Sequence, residues 1–201
     1  MICLKKGGSE CYAATGENKY NAIIGGGPSY IVHPSDLSPM LLALGARVTV
    51  VGAGGKRVIP LDKFFTLPAQ GNIRRENVLQ NDDIITEVFV PASPLTQKST
   101  YLKFKERESL DFAMSSVAAA VQFDAGKKVK DVRLVLGGVA PIPWRVPAAE
   151  KFLIGKALNP DVLAEAGKIA LSEAKPLEKN AYKVPLTQTL VRRALTRTAG
   201  I

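Results

Sequence analysis

Ser116-Val117-Ala118-Ala119-Ala120-Val121-Gln122-Phe123, then Asp124-Ala125-Gly126-Lys127-Lys128, then Val129-Lys130-Asp131-Val132-Arg133-Leu134-Val135-Leu136, is the stretch that decides the fold. Each apolar run has the length of a strand rather than of a helix, and both carry β-branched residues. The polar residues between them, Asp124 to Lys128, are a hairpin signature, so the whole reads as a β-hairpin. A further strand pattern at Tyr101–Lys105 precedes it, and three antiparallel strands are expected. Beyond Gly137-Gly138-Val139-Ala140-Pro141 the period changes. Ala148–Ile154, Pro160–Ala174 and Asn180–Thr198 carry apolar residues at i, i+3 and i+4, the spacing of one helix face. Strands followed by helices give an α+β class: a small antiparallel sheet with a three-helix cluster.

Upstream, Gly25-Gly26-Gly27-Pro28 reads as a turn. His33-Pro34-Ser35-Asp36-Leu37 then opens a short helix carrying Met40, Leu41 and Leu44, with Ser35 as the expected N-cap and Gly45 as the stop. Arg47–Val51 and Arg57–Leu61 form a hairpin around Gly52-Ala53-Gly54-Gly55, and Ile84–Val90 is a strand closed by Pro91. Leu61–Phe65 reads as one helical turn with two aromatic anchors. Residues 91–99 form the expected linker, which divides the chain into parts 1–97 and 98–201.

Composition bounds the function. Apolar residues make up 46% and charged residues 22% of 201, the balance of an ordinary globular protein. No apolar run spans a bilayer and Met1–Glu10 hold no apolar h-region, so a cytoplasmic location is expected. Residues 151–201 hold nine Lys/Arg against four Asp/Glu, a large share of the net +9. The aromatics lie inside apolar patterns rather than among these cations, which argues against nucleic acid and for an acidic protein surface.

Familiar catalytic devices fail on spacing. Gly52-Ala53-Gly54-Gly55-Lys56-Arg57 has Val50 and Arg57 where a phosphate loop needs Gly and Ser/Thr. Gly25-Gly26-Gly27 lacks the dinucleotide spacing and the helix after it. His33 is the single histidine, so no hydrolytic triad can form, and it reads as a packed or capping residue. Cys3 and Cys11 are either two free thiols or half of a metal or iron–sulfur site. Alone, Asp36 reads as a helix-dipole partner and Lys103 as an exposed strand charge.

Six strings in order carry more than any motif. They are His33-Pro34-Ser35-Asp36-Leu37-Ser38-Pro39, Leu42–Val48, Ile59–Phe65, Asp83–Pro91, Tyr101-Leu102-Lys103-Phe104, and Gly137–Arg145. Together they make the chain resemble the FAD-binding subunit of the xanthine dehydrogenase and carbon monoxide dehydrogenase family of molybdenum hydroxylases. The amino-terminal residues are most similar to the 4-hydroxybenzoyl-CoA reductase branch. The resemblance implies the second half of a PCMH-type FAD domain, then the carboxy-terminal domain of the CO dehydrogenase flavoproteins. The glycine-rich segments that hold the flavin diphosphate in that family precede the region where this sequence starts.

By position, the resemblance implies that Asp36 hydrogen-bonds the ribityl hydroxyls, that the Ile85 backbone faces the flavin, and that Lys103 lies close to its ring. It implies that Cys3 and Cys11 match two ligands of a [4Fe–4S] loop spanning 1–29, whose last ligand falls at Ser29, where there is no thiolate. Weak or absent FAD binding and an incomplete cluster are therefore expected, with a loose amino terminus in the isolated chain. A molybdenum-cofactor subunit and a small [2Fe–2S] subunit are the implied partners. The implied function is electron transfer through FAD between iron–sulfur centres and an external carrier, in an oxidoreductase complex. The alternative is a truncated, non-enzymatic scaffold without flavin.

Overall fold

The computed structural model describes residues 2–201. The deciding hairpin is present as β5 (Ser115–Phe123) and β6 (Val129–Gly137), paired antiparallel with Val117 opposite Leu136 and Val121 opposite Val132. Asp124 accepts a hydrogen bond from the Lys128 amide at 2.8 Å and closes the turn. β4 (Ser99–Phe104) adds to β5, with Lys103 opposite Ser116. The expected third strand is there, and so is a fourth. β7 (Trp144–Arg145) pairs with Leu136 and Val135. Pro143 and Pro147 bracket that pair, and proline cannot continue a ladder, so the strand is too short to show a period.

α3 (Pro147–Leu153), α4 (Pro160–Ala170) and α5 (Lys183–Ala199) are the three expected helices. Their apolar faces and one face of the β4–β7 sheet enclose a single core that includes Val117, Val121, Leu134, Leu136, Leu153, Val191 and Leu195. α4 stops four residues earlier than the pattern suggested, at a bend before Pro176. Its start is capped by Asn159, which accepts from the Val162 amide at 2.9 Å.

The earlier part is a second antiparallel sheet. β1 (Arg47–Gly52) lies between β2 (Gly55–Pro60) and β3 (Ile84–Phe89). α1 (Ser38–Ala43) covers one face of it, with Val48, Val50, Leu61 and Phe64 buried below. Gly45, at φ 70°, ends α1 as expected. The same helix reaches the other sheet, since Ala43 packs on Ala118 and Val135. Helix α1 thus ties the two sheets together. β3 is different: all six of its residues are exposed, its outer edge is unpaired, and Ile85 and Val88 share a face with the buried Val50 and Val48.

Two expectations need correction. The 91–99 segment is not a free linker, because Pro94–Gln97 forms a one-turn helix, α2, that buries Leu95. The amino terminus from residue 2 is not loose. Its Leu4–Lys6 turn is closed by Gly7 N–H donating to the Leu4 carbonyl, Leu4 N–H donates to the Glu10 carbonyl, and Lys5 pairs with Glu76 at 2.9 Å.

Trp144 packs against the main core, and Arg145 forms a bidentate pair with the buried Glu150.

Candidate functional site

The loop ahead of α1 meets strand β4 at a polar cluster that the backbone dictates. Successive strand residues face opposite sides, so Tyr101 and Lys103 of β4 share one face while Leu102 turns into the core. Ser35 accepts from the Ser38 amide at 3.0 Å, which fixes the approach to α1. Asp36, just ahead of that helix, is thereby aimed at β4. Its Oδ1 accepts from the Tyr101 hydroxyl at 2.9 Å and its Oδ2 from the Lys103 ammonium. A helix-dipole role for Asp36 is therefore wrong: α1 begins at Ser38, and the carboxylate is turned toward a real cation.

Lys103 also donates to the Asp111 carbonyl at 2.8 Å. Burial, and then the neighbouring Asp36 carboxylate, push the Tyr101 phenol up to about 12, so it stays a hydrogen-bond donor at any ordinary pH. Each carboxylate oxygen has two acceptor sites and an ammonium has three donors. Asp36 and Lys103 therefore keep capacity to accept from, and donate to, a bound polyol or ring edge. Such residues fit the ribityl and ring contacts of a flavin.

Of the three positions expected to face that flavin, the structure brings Asp36 and Lys103 together. Ile85 stands opposite Val50 on β3, in the other sheet, with its side chain exposed. Tyr101 was missed, although its two-residue spacing from Lys103 places it on the same strand face.

His33 is a packing residue, as its isolation suggested. Its ring meets Phe65 edge-on at 4.8 Å, and Nε2 lies 3.3 Å from the Ser38 hydroxyl. Nδ1 is buried without a partner, and burial holds the imidazole below its ordinary pKa. The unfolded chain therefore takes up a proton at higher pH than the folded one, and stability falls as pH drops below the ordinary histidine value. Thermal melts from pH 7.5 to 5.5 should show a falling Tm, and His33→Gln should flatten that slope. An unchanged slope would mean that other groups set it.

Cys3 and Cys11 are both free, and with Ser29 they line one cavity of about 310 Å³. The chain thus brings together the three positions tied to the iron–sulfur loop. Among the described residues no group of three or more His, Cys, Asp or Glu could hold a metal ion. Two thiols and a hydroxyl do not fit a cluster that takes four thiolates.

The comparisons with known proteins agree with this frame. Residues 12–93 match the FAD binding domain in molybdopterin dehydrogenase, and residues 99–198 match the CO dehydrogenase flavoprotein C-terminal domain. The chain is 34% identical, over 90% of its length, to the aldehyde oxidoreductase FAD-binding subunit PaoB of Escherichia coli (strain K12), of which it covers 54%. It is 29% identical, over 81% of its length, to the carbon monoxide dehydrogenase medium chain of Hydrogenophaga pseudoflava, covering 56% of it. The solved carbon monoxide dehydrogenase from that organism superposes with a TM-score of 0.71 at 28% identity, over 83% of this chain and 57% of that one. The chain spans about half the length of the curated relatives it matches. Two matched domains in the family's order, on a fold shared with a solved member, place this chain in the family of FAD-binding medium subunits of the xanthine and CO dehydrogenase-type molybdenum hydroxylases.

Proposed function

We propose that this chain forms the ring-side portion of a medium subunit that carries electrons through FAD, within a molybdenum-dependent oxidoreductase. The observation that carries the reading is the Asp36–Tyr101–Lys103 cluster, built between the loop ahead of α1 and strand β4 and keeping free donor and acceptor capacity. In this reading Asp36 accepts from the ribityl hydroxyls, Lys103 lies beside the ring, and the Ile85 backbone faces the flavin from β3. The flavin, when bound, supplies the electron-carrying chemistry. Lys103 stabilises negative charge near the ring, and Tyr101 holds the Asp36 carboxylate in place.

Residues 1–97 then serve as part of the flavin domain and 98–201 as the docking domain. Partners are a molybdenum-cofactor subunit and a small [2Fe–2S] subunit, the other components that the medium-chain relatives suggest. The 4-hydroxybenzoyl-CoA reductase branch is favoured by Cys3 and Cys11 beside Ser29, where two thiolates from elsewhere would be needed to complete a [4Fe–4S] site. Free cysteines suit the cytoplasm. Among the described residues, no helix is long and apolar enough to cross a membrane.

FAD titrated into the isolated 201-residue chain should bind no tighter than about 10 μM. Asp36 and Lys103 supply only a few charged hydrogen bonds, worth ~1–3 kcal/mol each, against the cost of ordering a large ligand. Mixing in the amino-terminal half of a relative's medium subunit should raise retained flavin absorbance near ~450 nm, with Lys103→Ala lowering it at least about tenfold. A mixture that stays colourless, or retention untouched by Lys103→Ala, favours a scaffold without flavin.

A further inference from the structure

The carboxy-terminal half of α5 carries Arg192, Arg193 and Arg197, all exposed, around a cavity of about 470 Å³. Its remaining walls are largely apolar: Leu163 and Pro160 from the start of α4, and Ile201 beyond the end of α5. Four arginines elsewhere are neutralised locally, while Arg47 lies over the Phe89 ring and Arg75 donates to the Leu79 carbonyl and the Asn81 side chain. Arg57 pairs with Asp83, Arg107 with Asp111, Arg133 with Asp131, and Arg145 with Glu150. None of the three α5 arginines has such a carboxylate among the described residues. Arg193 and Arg197, one helical turn apart, are like charges on the same face of α5. Asp161, in the first turn of α4, is the nearest acidic residue in sequence to this wall.

We propose that this groove is a docking site for an extended acidic segment of a partner polypeptide, one whose carboxylates flank an apolar side chain. Residues four apart on a helix are separated by ~6 Å along its axis, and alternate residues of an extended chain by ~6.6 Å, so carboxylates two apart can meet successive guanidinium groups. Guanidinium forks on α5 bind carboxylates in a bidentate manner, and the side chain between them, which an extended segment turns to the opposite side, meets the apolar wall that α4 supplies. A small anion such as phosphate has no use for Leu163, Pro160 and Ile201. The groove lining holds no aromatic side chain on which a base could stack, so single-stranded nucleic acid is a poorer fit. The site lies on α4 and α5 and does not depend on the flavin reading.

The test uses the full chain and a fluorescein-labelled peptide of alternating glutamate and leucine, followed by anisotropy. Saturable binding in the range of ~10–100 μM at low salt is expected, weakening steeply as salt rises. The Arg192→Glu/Arg193→Glu/Arg197→Glu variant should lose at least about tenfold in affinity with unchanged circular dichroism. The single variants Arg193→Gln and Ile201→Ser, both at exposed positions, should each lose about threefold and cover the case in which the triple variant fails to fold. An absence of saturable binding, or equal binding by Arg193→Gln and Ile201→Ser, overturns the proposal. So does displacement of the peptide by tripolyphosphate at equal concentration, which would mark a simple anion site. Tighter binding of an oligothymidine than of the peptide would overturn it in favour of nucleic acid.

Discussion

Replacing Lys183 with methionine is expected to lower stability by about 3 kcal/mol, which for a chain of this size is a fall in Tm of about 10 °C. Lys183 is 1% exposed at the start of α5 and has no carboxylate partner. Its ammonium instead donates to three backbone carbonyls: Tyr20 at 2.7 Å, Asn21 at 3.1 Å and Gly138 at 2.8 Å. One side chain thereby ties the amino-terminal loop, the end of β6 and the start of α5 into one unit. Methionine fills much of the same volume but leaves those buried acceptors without that donor, and each such loss costs roughly 1–3 kcal/mol.

Burial pushes the Lys183 ammonium down to about 8, below its ordinary 10.5. Between those values the unfolded chain holds the proton and the folded chain releases it, so this group's contribution to stability rises as pH goes from about 8 toward 10.5. Chemical denaturation at pH 7 and pH 9.5 should show that rise in the parent chain and not in Lys183→Met. A methionine variant as stable as the parent would reduce the three bonds to mere proximity.

The second large effect is expected at Arg145. Its guanidinium holds Glu150 through contacts of 2.8–3.1 Å, and Glu150 also accepts from the Leu134 amide at 2.9 Å on the neighbouring strand. The Glu150 carboxylate is 5% exposed as a residue, so Arg145→Met strands a buried charge, at a cost of about 3 kcal/mol. Adding Glu150→Gln should recover a good part of it, because a neutral amide can still accept from Leu134 without needing a cation. If the double variant is no more stable than the single one, the packing of Arg145 rather than its charge is what matters.

Both residues also mark where the sequence was legible and where it was not. The strands and helices followed from period and turn chemistry, because a buried face imposes its repeat on the residues that fill it. Asp36 and Lys103 could be paired only through the order of family strings, since 67 residues separate them and no local pattern reports a contact at that distance. Tyr101 was readable from its place two residues from Lys103. Lys183 was readable too, and was overlooked: it falls on the same stripe as Thr187, Leu190, Val191, Ala194 and Thr198, the buried face of α5. A cation at an inward position needs acceptors, and that was the available signal. β7 could not have been seen, because two residues have no period.

Strand β3 sets a practical limit on handling this polypeptide. Ile84, Ile85, Val88 and Phe89 stand exposed on a strand whose outer backbone groups have no neighbour. An uncapped row of amides beside bare aliphatic side chains is a template for any passing chain of similar character. Yield and storage life are therefore expected to depend on concentration more steeply than fold stability alone would set, and a ligand or polypeptide that shields this rim is expected to act as a solubiliser before it does anything else.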